Sequence, residues 1–272
     1  MTRPAVSGAR VLVVLAHPDD ESLACGGTIA LLSRHGAHVR IVCATHGETG
    51  SMNPAVVTAR ADLAPTRAAE FAAACRHLGA SDADLLDFPG GSLSWADVSR
   101  FEDTLEAILR RWRPDAVITF GRDGLYWHPD HIAVGERVRT AVARGAGEFA
   151  VAAYAVVMPP GAMSAVATEA VQHRPGVASA FWGVAPEVFG KGALPATRII
   201  DVSPVIEAKL AALQAHASQI DASNPLAYLT PATASPLAVE HFHLLETSPA
   251  HRSALDLLTV APRGERAGLA RY

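Results

Sequence analysis

The chain has 272 residues, half of them apolar, and a formal net charge of −4. This composition allows one domain with a sizeable core, and the lack of a basic stripe argues against nucleic acid as a partner. Three cysteines at no disulfide-like or metal-like spacing, and no apolar run long enough to span a membrane, predict a cytoplasmic protein without membrane contact.

Short apolar runs alternate with helical segments over the first part of the chain. The predicted strands are Val11–Leu15, His38–Thr45, Ala83–Phe88, Ala116–Phe120 and Phe149–Met158. The predicted helices are Leu23–His35, Arg60–Leu78, Asp97–Trp112 and Ile132–Ala143. This alternation predicts an α/β fold with a mostly parallel sheet flanked by helices. Ligands of such sheets bind at the carboxyl ends of the strands.

The C-terminal portion is less regular. Residues 159–186 are interpreted as an excursion or lid, followed by a strand at Thr197–Val202 and a helix at Val205–Ser218. The tail after Asn224 is rich in Pro, Ser, Thr and Ala, and its structure is left open. We find no repeats and no clean linker, so residues 1–272 are expected to form a single domain. Its core would cover about residues 9–158, and residues 159–272 would form a cap or rim that shapes the site.

The first candidate site directly follows the first predicted strand, where the chain reads His17-Pro18-Asp19-Asp20-Glu21. An imidazole and a carboxylate three residues apart at a helix start can converge on one cation, and both are ordinary zinc ligands. His17 and Asp20 are therefore candidate ligands. Asp19 is aimed differently and is a candidate base. The alternative is that the aspartates only cap the following helix.

The second candidate site follows the strand that ends at Phe120, where the chain reads Tyr126-Trp127-His128-Pro129-Asp130-His131. A catalytic zinc ion needs three protein ligands, a count that His17, Asp20 and one histidine of this pair would meet. The other histidine would be free to donate a hydrogen bond or a proton. Asp130 could orient an imidazole through its second nitrogen. The alternative, a surface loop, does not account for two His-Pro-Asp tripeptides at two strand ends.

Together, the Ala16–Glu21 motif and the His128–His131 motif resemble the PIG-L/LmbE-like superfamily of zinc-dependent N-acetylglucosaminyl deacetylases. This superfamily also includes thiol-biosynthesis deacetylases and mycothiol S-conjugate amidase. The resemblance covers about Val11–Ala143 and, more loosely, the segment Lys209–Gln219. It implies a Rossmann-like core and one Zn²⁺ per chain. It also implies a small amide substrate derived from an amino sugar.

The resemblance further implies roles for individual residues. Zinc would be held by His17, Asp20 and His131, with Asp19 as the general base and with His128 and Tyr126 assisting at the carbonyl oxygen. The loop Thr45–Gly50 and the pair Arg67 and Glu70 also match superfamily patterns, so Glu48 and Arg67 are expected to bind substrate. The alternative for Arg67 and Glu70 is an exposed ion pair on a helix. Arg122 and Trp127 replace the Pro and Gly of many relatives, and the bulk of Trp127 predicts a differently shaped pocket.

The sequence thus predicts a hydrolase that removes an N-acyl group, such as N-acetyl, from an amino sugar or a related small amide. One alternative is an amidase for a larger thiol conjugate or antibiotic-pathway intermediate. A nucleotide-binding module is another, although no Gly-x-Gly-x-x-Gly follows the first strand, and Gly26 and Gly27 are better explained by close helix packing. A third is a metal-binding protein without catalysis, and iron or cobalt could replace zinc. The oligomeric state, including a homo-oligomer, is left open.

Overall fold

A computed structural model describes residues 6–145, 148, 151–247 and 253–258. The strands are β1 (Arg10–Leu15), β2 (His38–Cys43), β3 (Asp82–Leu85), β4 (Ala116–Phe120), β5 (Ala152–Val157), β6 (Arg198–Asp201) and β7 (Val239–Thr247). The helices are α1 (Asp20–Arg34), α2 (Leu63–Leu78), α3 (Val98–Trp112), α4 (Gly124–Trp127), α5 (Pro129–Gly145), α6 (Ala162–His173), α7 (Ile206–Ala215) and α8 (Ala254–Leu258).

The strands form one seven-stranded sheet in the order β3-β2-β1-β4-β5-β7-β6. The first five strands in chain order pair in parallel, whereas β7 pairs antiparallel with both β5 and β6. The residues of β4 are buried along its whole length, as expected for a strand covered on both faces. The predicted α/β fold with a mostly parallel sheet is confirmed.

The helices pack in two groups. Helix α1 contacts α2 and α7, while α3 contacts α5. In α3 the apolar residues recur at helical spacing, so Phe101, Leu105 and Leu109 are buried on one face. Among the described residues, no helix combines the length and apolar character that crossing a membrane requires.

The structure adds two regular elements to the C-terminal portion. Helix α6 lies in the first half of the segment interpreted as a lid, and β7 lies in the tail for which the sequence predicts no definite structure. Because β7 lies between β5 and β6, this tail is part of the sheet itself. The predicted start of β5 at Phe149 lies outside the described residues. The division into a core and a cap stays a prediction.

Helix α1 is kinked, and a buried ion pair supports the kink. Cys25 has non-helical dihedral angles (φ −151°, ψ 18°). The amides of Gly27 and Thr28 each donate to the Glu240 carboxylate on β7, at 2.8 Å. Lys209 on α7 completes the arrangement with its Nζ 2.7 Å from Glu240 Oε1. A carboxylate from the C-terminal part of the chain thus caps the second half of the first helix.

Candidate active site

The first predicted segment leaves β1 at its carboxyl end and enters α1 after a short turn at residues 16–19. The Asp20 carboxylate accepts a hydrogen bond from the His17 amide at 2.8 Å. Its Oδ2 also lies 3.5 Å from His17 Nδ1, and its Oδ1 lies 3.2 Å from His131 Nε2. One carboxylate therefore lies between two imidazoles from distant parts of the chain.

His131 is fixed by its surroundings in the first turn of α5. Its ring stacks on Phe120 at a centroid distance of 4.1 Å, and its Nδ1 hydrogen-bonds the Gly124 carbonyl at 3.1 Å. The other ring nitrogen, Nε2, is buried and faces Asp20 Oδ1 at 3.2 Å, but it makes no hydrogen bond of good geometry among the described residues. A buried ring nitrogen without a proper hydrogen bond is costly, so Nε2 is placed to bind a ligand.

The arrangement fits a divalent cation. One ligand atom each from His17, His128 and His131 lie within 4.8 Å of one another. Asp20 lies between His17 and His131, so it offers an oxygen donor to the same centre. Nitrogen and carboxylate donors in this number are typical of a catalytic zinc site. His17 and His131 would thus be two of the ligands, and the geometry allows either Asp20 or His128 to be the third.

Asp130 holds the ring of His17 from the other side. Its Oδ2 lies 3.0 Å from His17 Nε2, and it also accepts the amides of Gly91 at 2.6 Å and Leu93 at 3.0 Å. Burial lowers the pKa of His17, but the hydrogen bonds and charges of Asp130 and Asp20 outweigh it and raise the pKa to about 9. Asp130 is therefore placed to orient the imidazole ring of His17, as the sequence predicts for one of the histidines.

Asp19 takes no part in these contacts, and its side chain makes no capping hydrogen bond to the helix. Its Oδ2 accepts from Arg67 Nη2 at 2.9 Å. Burial raises the pKa of Asp19, and the Arg67 charge opposes that rise. A carboxylate whose pKa is raised is better suited to accept a proton near neutral pH.

His128 and Tyr126 face the same cavity. The Asp130 amide donates to His128 Nδ1 at 3.2 Å, so the proton of a neutral His128 ring is placed on Nε2. Burial and the charges of His131 and His17 lower the pKa of His128 to about 4. Burial also raises the pKa of Tyr126 well above its ordinary value. Both groups therefore present hydrogen-bond donors at neutral pH.

These residues line a cavity of about 260 Å³. Its polar wall includes His17, Asp19, Asp20, Arg67, Tyr126 and His128. Part of the lining comes from the C-terminal portion, with Trp182, Val184 and Gln219. Trp182 is fixed there because its indole N–H donates to the Gln219 carbonyl at 2.9 Å. The predicted contribution of the C-terminal portion to the site agrees with this geometry.

Two predicted substrate-binding residues are placed differently. Arg67 lines the cavity, whereas Glu48 does not, because its carboxylate accepts the Gly90 amide at 2.6 Å. The alternative of an exposed ion pair between Arg67 and Glu70 is wrong. Arg67 is buried, and Glu70 accepts from the amide and hydroxyl of Ser218. Trp127 is 51% exposed and does not line the cavity.

Comparison with known sequences shows the family to which the chain belongs. Residues 12–142 match the family described as "PIG-L: GlcNAc-PI de-N-acetylase". A 1D-myo-inositol 2-acetamido-2-deoxy-alpha-D-glucopyranoside deacetylase from Mycobacterium sp. (strain KMS) is 36% identical over 90% of this chain and 86% of the relative. The chain belongs to the PIG-L family. It is accordingly a hydrolase of the N-deacetylase class, as the sequence motifs predict.

Two solved structures share the fold of this PIG-L family member. One is N,N'-diacetylchitobiose deacetylase from Pyrococcus horikoshii, with a TM-score of 0.59, 23% identity and coverage of 87% of this chain and 83% of that one. The other is GalB, a 4-carboxy-2-hydroxymuconate hydratase from Pseudomonas putida KT2440, with a TM-score of 0.63, 19% identity and coverage of 88% and 97%. At these identities the likeness concerns the fold alone, and two different reactions share it. The chemistry must therefore be argued from the site.

The structure also brings residues to this PIG-L site that the motifs do not assign. Glu21, part of the first motif, is fully buried, and its Oε1 lies 2.7 Å from His216 Nε2. His216, Gln219 and Trp182 all come from the C-terminal part of the chain. In the sequence, Glu21 is indicated only as the third of three consecutive acidic residues. His216 and Gln219 are indicated only by the loose resemblance of the segment Lys209–Gln219.

Proposed function

We propose that the protein is a zinc-dependent deacetylase that removes the N-acetyl group from a small N-acetylglucosaminyl compound. The observation that carries the proposal is the buried His131 Nε2, which makes no hydrogen bond of good geometry among the described residues and lies 3.2 Å from Asp20 Oδ1. This donor set lies in a cavity that also contains Asp19, a carboxylate that is not part of the set. A metal-storage site would not need such a second carboxylate.

The residues proposed to hold the ion are His17, Asp20 and His131. Asp20 is preferred to His128 as the third ligand because its two oxygens lie 3.5 and 3.2 Å from the facing nitrogens of the two histidines. Zinc is favoured over iron or cobalt by the mixed nitrogen and oxygen donors. When bound, zinc acts as a Lewis acid that makes water more acidic and polarises an amide carbonyl.

Asp19 is proposed to remove a proton from water as the water attacks the carbonyl carbon. Arg67 holds the carboxylate in place through its 2.9 Å hydrogen bond. The donors of His128 and Tyr126 then stabilise the negative charge that develops on the carbonyl oxygen. The C–N bond breaks, and the proton taken by Asp19 passes to the leaving nitrogen. One water molecule is consumed, and acetate and an amine are released.

The substrate class rests on the family and on the size of the cavity. The family description and the mycobacterial relative both name an N-acetylated glucosamine linked to an inositol group. A cavity of about 260 Å³ accommodates the acetamido end of such a molecule, while the remainder extends toward the open side. A cytoplasmic location is proposed from the cysteines, all three of which are free and buried.

The test is a panel of N-acetylated compounds, assayed for release of the free amine by the zinc-loaded protein. The panel contains N-acetylglucosaminyl-inositol, free N-acetylglucosamine, a thiol conjugate and an acetylated peptide. We expect the first compound to have the highest kcat/KM. Turnover of the thiol conjugate alone would replace the proposed substrate class, and no turnover of any amide would refute the deacetylase assignment.

Two variants then separate the roles of the residues. Asp19→Asn should keep one zinc ion per chain while kcat falls by about 10³-fold, since the base is lost. His131→Ala should lose both zinc and turnover. Asp84→Asn, at a partly exposed carboxylate paired with Arg40, is the matched control and should change neither quantity. Normal turnover by Asp19→Asn would exclude Asp19 as the base.

A further inference from the structure

The backbone of Asp19 is held in an unusual conformation. Its φ angle is 126°, a region that residues with a β-carbon rarely adopt. Such a strained conformation persists only where neighbouring groups hold it. This backbone angle sets the direction in which the Asp19 carboxylate projects, so the groups that maintain it also determine where the proton acceptor lies.

Two buried side chains hold this residue from opposite sides. Arg67 donates to the Pro18 carbonyl and to the Asp19 carboxylate. On the other side, the Asp19 amide donates to Glu21 Oε2 at 2.9 Å. The Arg67 contact was expected at the site, whereas no role in the reaction has been given to Glu21.

Glu21 is itself fixed by a second layer of contacts. Its Oε1 accepts from the Ser22 hydroxyl at 2.5 Å and lies 2.7 Å from His216 Nε2. The side chains of Glu21 and His216 are both 0% exposed. An acidic residue in the first turn of a helix ordinarily stays in solvent, where it interacts with the helix dipole. Glu21 instead turns inward and back toward residue 19.

We propose that Glu21, supported by His216, is a positioning residue that keeps the Asp19 carboxylate in its proton-accepting place. The inference rests on the proposed function, because it assigns Glu21 a part in that reaction. The competing explanation is purely structural. A glutamate that reaches back to the amide preceding a helix is a known capping contact, and here it also joins α1 to the end of α7.

The two explanations differ in how Glu21 depends on Asp19. A positioning residue acts through the carboxylate it orients, so its removal should have no effect once that carboxylate is gone. A residue that only stabilises the fold or the metal site should affect turnover equally with or without Asp19. A double-mutant cycle between the two positions therefore separates them.

The primary variant is Glu21→Gln, which keeps the shape but offers only one acceptor oxygen to three donors. We expect kcat on the best substrate of the panel to fall at least tenfold, with KM within twofold and zinc content unchanged. In the Asp19→Asn background, the same change should alter the residual kcat less than twofold. If Glu21→Gln does not fold, His216→Gln replaces it and should give a smaller loss of the same kind.

The matched control is Glu240→Gln. Glu240 is also a buried carboxylate that accepts two amides of α1 and pairs with a cation on α7, but it acts at Gly27 and Thr28 rather than at Asp19. It should lower thermal stability while kcat stays within twofold at a temperature where the variant is folded. An equal loss from Glu21→Gln with and without Asp19, a loss of zinc, or an unchanged kcat would each overturn the inference. Wild-type turnover separately tests the proposed function.

Discussion

Removal of the Glu240 carboxylate should destabilise the protein strongly, although the residue lies in the part of the sequence with the weakest pattern. Glu240 and Lys209 form an ion pair whose side chains are 2% and 1% exposed. The same carboxylate accepts the two amides freed by the kink in α1. A Glu240→Leu substitution would leave a buried ammonium group and two buried N–H groups without their acceptor.

The size of the effect follows from these losses. Breaking a buried ion pair by removing one partner costs about 3–5 kcal/mol, and each unsatisfied amide adds about 1–3 kcal/mol where no water can reach it. Since these costs overlap, we expect a loss of at least about 4 kcal/mol, a large share of the roughly 5–15 kcal/mol that stabilises a typical domain. The double variant Lys209→Met with Glu240→Leu should recover part of the loss, because no unpaired charge remains.

Urea unfolding followed by circular dichroism measures the effect as a shift in the midpoint at constant slope. Glu148→Gln is the control, since Glu148 pairs with Arg110 on the surface, where the two side chains are 51% and 49% exposed. The control should leave the midpoint unchanged. If Glu240→Leu shifts the midpoint no more than the control does, the buried pair does not support the fold as argued.

Three further predictions concern the site and its supporting helix. Tyr126→Phe should lower kcat at least tenfold while zinc content and KM stay constant, because one donor to the carbonyl oxygen is lost. Burial raises the pKa of Asp19, and Asp19 must be unprotonated to accept a proton. On acidification, kcat/KM should therefore begin to fall at a pH above the ordinary aspartate pKa of about 3.9. A pH–rate profile measures this. Gly27→Ala should destabilise the protein although alanine favours helices by about 1 kcal/mol, since the added Cβ would lie 2.4 Å from the Cβ of Val202. Val202→Gly in the same chain removes that Cβ and should restore part of the stability in urea unfolding.

The parts of the structure that the sequence predicts are those encoded locally. The strand before His17 is a continuous apolar run and the strand before the His128 segment is apolar except for Thr119, and the structure has them at β1 and β4 with nearly the predicted limits. The two His-Pro-Asp tripeptides come together because each lies in the segment that leaves one of these strands, the second after the short helix α4. Ligand-type residues at the carboxyl ends of parallel strands need no further information to be placed at one edge of the sheet.

The parts that the sequence does not predict depend on contacts between distant segments. Strand β7 carries Glu240 and His241, and it pairs with β5 more than eighty residues away and with β6 about forty residues away. No local pattern encodes this placement. Arg67 and Glu70 are spaced like an exposed ion pair, but burial against the loop after β1 and against Ser218 gives each a different partner. An Arg and a Glu three residues apart on a helix have the same spacing whether they pair with each other or with distant groups. Only the tertiary structure distinguishes these two arrangements.

The location of the site follows from the order of the strands. From β1 the chain continues to β2 and β3 on one side, and β4 and β5 lie on the other, so the direction of strand order reverses between β1 and β4. The connections that leave these two neighbouring strands diverge and open a crevice at their carboxyl ends. Both exits contain residues in left-handed conformations, Asp19 after β1 and Leu125 after β4. Because the chain turns sharply at both exits, it presents His17 and His131 to each other while Asp19 faces the cavity between them.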